Sequence, residues 1–61
     1  MVTLKIKGGQ EHKVDRGKVH ISGQCVVLYR FPEGKESELV FAYHLFPGDQ
    51  LRKEGDNYFV D

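Results

Sequence analysis

The residue types of a thiol hydrolase all occur in this chain: a nucleophile in Cys25, a base in His20 or His44, and an orienting acid in Asp15. Such a nucleophile works as a thiolate and needs an electropositive, partly open setting. Cys25 instead opens the most apolar stretch of the chain, Cys25 to Tyr29, where a free thiol behaves as a small buried hydrophobe. It carries no catalytic assignment. His12, His20 and His44 could offer imidazoles to a metal, but no two stand four apart on a helix-like pattern or two apart on a strand, and there is no second cysteine. Glu33, Glu36 and Glu38 flank a turn without the alternating oxygen ligands and glycine of a calcium loop. Gly8-Gly9 lacks the further glycine and the helix start that cradle a phosphate. These absences lead to the expectation of a protein that is not an enzyme and uses no cofactor or metal.

Charge is more informative. The formal net charge is zero, yet residues 1 to 32 hold six cations against two anions, and residues 33 to 61 hold three cations against seven anions. Lys5 and Lys7 alternate with Val2, Leu4 and Ile6, while Lys18 and His20 alternate with Val19 and Ile21. If these two strands pair, one outer face carries a basic row. Tyr29 and Arg30 point to opposite faces of the next strand, so only one of them can join that row. The candidate binding residues are therefore Lys5, Lys7, Lys18, His20, Tyr29 and Arg30. Lysines that track phosphates beside a ring that stacks on a base are the minimal footprint for single-stranded nucleic acid. A zero net charge and a single aromatic limit such a site to weak binding. Lysines on a sheet also serve simply to discourage edge-to-edge pairing.

The elements that must position these residues are strands. Val2, Leu4 and Ile6 repeat with a period of two, Gly8-Gly9 ends the run, and a polar stretch from Gln10 to Lys13 leads to Val14 and the turn Asp15-Arg16-Gly17. Val19 and Ile21 mark a second strand, ended by Ser22-Gly23-Gln24. Cys25 to Phe31 is apolar on both faces for five residues, the pattern of a central strand covered on both sides. Pro32 to Lys35 supplies a hairpin turn, Glu38 to His44 another strand, and Leu45-Phe46 runs into the turn Pro47-Gly48-Asp49. Leu51 to Glu54 and Tyr58 to Val60 form a last hairpin through Gly55-Asp56-Asn57. No window shows a helical period. The expected fold is all-β: a small antiparallel meander of five to six short strands, an SH3-like or Sm-like barrel with little or no α-helix, forming a single domain over residues 1–61. Its expected core is Leu4, Ile6, Ile21, Val27, Leu28, Phe41 and Phe59. The segment Leu39 to His44 is similar to a strand of small Sm-like RNA-binding barrels, but that family's N-terminal helix and Gly/Asp/Asn signature are missing here, so no residue role is carried over.

The apolar runs are five residues at most, too short to cross a bilayer, and no signal-like segment follows Met1. A cytoplasmic protein without membrane contact is expected. By elimination the expected function is a non-catalytic interaction module, a protein-binding accessory or regulatory factor of the kind carried by phages and mobile elements, with weak nucleic-acid binding as the alternative. A chain this short has a thin core, so burial against a second copy would help it. A homo-oligomer is expected, joined through open edges at Val2 to Lys7 and Tyr58 to Val60.

Overall fold

Period-two segments become strands throughout residues 1–61, which the computed structural model describes in full. They are β1 (Val2–Ile6), β2 (Glu11–Val14), β3 (Gly17–Ser22), β4 (Cys25–Arg30), β5 (Glu38–His44), β6 (Leu51–Glu54) and β7 (Asn57–Val60), with no helix. Strand β2 falls where the sequence reads as a polar connection. Its inward positions are His12 and Val14, opposite Leu4 and Val2, so only one of them is aliphatic and the alternation is hidden. The β3–β4 and β6–β7 hairpins turn on two residues, Gly23-Gln24 and Gly55-Asp56. Each turn has φ of 61° at the glycine and a negative φ after it, the primed geometry that matches strand twist and excludes side chains at its first position.

The all-β meander of the sequence reading is present, with seven strands arranged in two sheets of order β2-β1-β7-β6 and β3-β4-β5. Strands that follow one another within a sheet pair antiparallel. The one parallel ladder joins β1 to β7, from Thr3 beside Asn57 to Ile6 beside Val60. The Thr3 N–H donates to the Asp56 carbonyl at 3.0 Å at the start of this ladder. This pairing corrects the expectation of open edges at the first and last strands, because each supplies the hydrogen bonds the other lacks. The edges are β2 and β6 in one sheet and β3 and β5 in the other.

The sheets meet over a core of Leu4, Ile6, Val14, Val26, Leu28 and Val60, with Val2, Val19, Phe41, Tyr43, Leu45, Leu51 and Tyr58 packed around it. Of the expected core, Leu4, Ile6, Val27 and Leu28 are buried and Phe41 is half-buried. Ile21 is 48% exposed, at the hairpin end of the edge strand β3. Phe59 faces outward beside Lys5 and Arg52, the alternation of β7 having turned Tyr58 and Val60 to the core. Where the chain passes from one sheet to the other, Gly17 sits so close to β4 that an added Cβ would lie 2.0 Å from the Tyr29 carbonyl oxygen.

Candidate binding face

The six charged and aromatic candidates separate according to sheet. Lys5 lies on the outer face of the four-stranded sheet, 3.8 Å from Glu11 and 5.9 Å from the centre of the Phe59 ring. Lys7 follows β1 and pairs with Asp49. Arg30, on the side of β4 opposite Tyr29, bonds Glu38 at 2.6 Å. Only Lys18, His20 and Tyr29 come together, on the outer face of the three-stranded sheet, where the Lys18 ammonium stands 6.0 Å from the Tyr29 ring centre. β1 and β3 belong to different sheets, so the continuous basic row does not form.

The Lys7–Asp49 pair ties the turn after β1 to the β5–β6 connection. The Asp49 side chain is 3% exposed and also accepts the Phe46 N–H at 2.9 Å. The Lys7 hydrogen bond, followed by that backbone bond, holds the Asp49 carboxyl below its ordinary value of 3.8, and the hydrogen bond from Lys7 to Asp49 raises the lysine. A carboxyl lowered by folding stabilises the fold above its ordinary value, and that contribution disappears as pH falls through the folded value; the lysine's contribution is complete below 10.5 and is lost as pH rises through its raised folded value. Asp49→Asn keeps an acceptor for Phe46 and removes the charge. The variant should melt below the wild type at pH 7, and the gap should close as pH drops below 3.8. A gap independent of pH in parallel thermal melts would show that charge is not what this contact contributes.

The outer face of the three-stranded sheet is built from alternate residues. Lys18, His20 and Ser22 come from β3, Cys25, Val27 and Tyr29 from β4, and Ala42 and His44 from β5. Leu28 pairs with Phe41 and Tyr29 with Leu39, so Val40 is an extra residue and makes a bulge. A bulge re-aims side chains. Here Leu39 and Val40 both stand in solvent, 62% and 42% exposed. Val27 is buried among its neighbours on this face, outside the core cluster. The face holds no carboxylate. By contrast, the outer face of the other sheet balances Lys5, Lys13 and Arg52 against Glu11 and Glu54, with Asp61 bonded to Arg52 at 3.1 Å and Glu11 to Lys13 at 3.1 Å. The edges differ as well: β2 carries Lys13, β3 carries Lys18, β6 carries Arg52 and Lys53, and β5 carries neither lysine nor arginine. No family model, curated protein or solved structure matches the chain. Its chemistry must be read from this geometry.

Elsewhere the arrangement offers less. Cys25 and His44 are cross-strand neighbours, but Asp15 lies at the other end of the sheet, beyond Gly17 and its partner Arg30. An open concavity of about 330 Å³ lies between Asp15, Arg16, Arg30, Phe31, Pro32 and Glu33, its two guanidinium groups offset by two carboxylates. No group of three His, Cys, Asp or Glu side chains is placed to hold a metal ion, and no helix is long and apolar enough to cross a membrane. His12 stacks on Phe41 at 3.9 Å between the sheets, its buried Nε2 without a partner. Leu39, Val40 and Ala42 are the face residues that sequence reasoning passed over. Their signal was present in the apolar character of β4 on both sides, which reads as a fully covered strand.

Proposed function

We propose that this chain is a non-catalytic protein-binding module, an accessory or regulatory factor that engages its partner through the outer face of β3-β4-β5. One observation supports this reading above the others. On the outer face of this sheet Val27 is buried by its neighbours, whereas Leu39 and Val40 of β5 stay exposed beside the half-buried Tyr29 on a face free of carboxylates. An apolar centre with a polar rim is the anatomy of an interface. An unbiased selection from displayed peptide and small-domain libraries tests the reading, with each binder mapped by amide chemical shifts on the labelled chain. Binders should perturb Tyr29, Leu39, Val40 and Ala42, and Leu39→Glu should weaken them at least about tenfold, as loss of a central interface side chain does. Footprints confined to other surfaces would refute it.

The nearness of Lys18 to Tyr29 favours a second reading, single-stranded nucleic acid on the same face. One or two phosphate contacts would give a log–log salt slope of about −1. Fluorescence anisotropy with labelled oligonucleotides at low salt should show no saturable binding; saturation that Lys18→Glu abolishes would put this reading in place of the first.

A further inference from the structure

The face also restricts the shape and charge of its occupant, and the inference here rests on the protein-binding reading. β5 spans seven residues, about 23 Å at the rise of a strand, and three strands at their usual spacing are about 14 Å across. An α-helix is about 10–12 Å wide, and fifteen residues of it are about 23 Å long. Addition of a further strand to the β5 edge fits less well, because the bulge at Val40 interrupts that edge between Leu39 and Phe41. Charge is unevenly placed. Apolar residues occupy β4 and β5, whereas the cation Lys18 and the titratable His20 lie along β3, with His44 at the end of β5.

We infer that the occupant is an amphipathic helix of a partner protein, about fifteen residues long. Its apolar stripe lies over Tyr29, Leu39, Val40 and Ala42, and its carboxylates run along the β3 side beside Lys18 and His20. Two synthetic helical peptides of equal length and identical leucine stripe provide the test, one with glutamates and one with lysines flanking the stripe on the β3 side. Titrated into the labelled full chain, the acidic helix should bind at least about tenfold more tightly and should weaken severalfold between 0.05 and 0.5 M NaCl, because exposed pairs are screened over about 8 Å at physiological salt. Lys18→Glu should reverse the preference, and an unchanged amide spectrum outside the face shows that the variant is folded. Equal affinity for both helices, or selected binders that lie on the face as extended strands or carry no acidic flank, overturns the helix while leaving the protein-binding reading intact. Absence of any footprint on the face, from helices and selected binders alike, overturns both. Saturable oligonucleotide binding at Lys18 and Tyr29 counts against both equally.

Discussion

Gly17→Ala should lower the thermal midpoint by more than 10 °C or leave the chain unfolded. The backbone at Gly17 is outside the left-handed region, so alanine meets no torsional penalty there. The obstacle is space: the new Cβ would sit 2.0 Å from the Tyr29 carbonyl oxygen and 2.8 Å from the Val14 Cγ2. A flexible side chain could move away, but Tyr29 O is part of the central strand β4, held between β3 and β5. Overpacking of even yielding sites costs about 1–3 kcal/mol, and this one should exceed the upper figure. For a domain of this size about 3 kcal/mol corresponds to roughly 12–24 °C. A melt followed by circular dichroism decides it, and a midpoint within a few degrees of the wild type would mean that Gly17 and β4 approach less closely than the structure has them.

Leu28→Ala should be comparably severe. Leu28 is fully buried at the middle of the three-stranded sheet, between Val19 and Phe41. Truncating such a side chain costs about 2–5 kcal/mol, from lost burial and the cavity that remains. At about 0.05–0.15 kcal/mol per residue, a chain of this length has only about 3–9 kcal/mol in total. A substantial unfolded population at 25 °C is expected in urea titrations extrapolated to water. Val27→Ala, one residue along and on the opposite face, is the control and should cost clearly less, about 1–2 kcal/mol for a smaller side chain that belongs to no cluster. Equal losses at Leu28 and Val27 would indicate that both faces of β4 are packed within the monomer, which would remove the basis for an outer binding face.

Local pattern revealed much of this fold. Alternation in Val2–Ile6 and the glycine-centred turns at Gly23 and Gly55 set strands and hairpins, because strand period and turn chemistry depend on near neighbours. Strand β2 was obscured because His12, stacked under Phe41, replaces an aliphatic in the inward series. The parallel ladder between β1 and β7 was not legible at all, since local alternation does not say which distant strand lies alongside. That unread neighbour also decided the fate of the basic row. Lys18, His20 and Tyr29 are grouped by a local hairpin and were readable, whereas Lys5 could join them only if β1 and β3 were partners. Phe59 was misplaced because its hydrophobicity outweighed the period of β7, and it lies outside under the Arg52 guanidinium, 4.3 Å from the ring centre.

The parallel ladder has a consequence for how the molecule comes into being. β7 is the last of the seven strands to leave the ribosome, yet it occupies the interior of its sheet, between β1 and β6. The β3–β4 and β4–β5 hairpins can close as they emerge, because their contacts are local. β1 can pair with β2 at once, but its second neighbour lies more than fifty residues downstream, and its other backbone edge stays unpaired until β7 arrives. A nascent chain halted before Asn57 would present an assembled three-stranded sheet above an unfinished floor, and in that interval its inner side would be as open to capture by other proteins as its outer side.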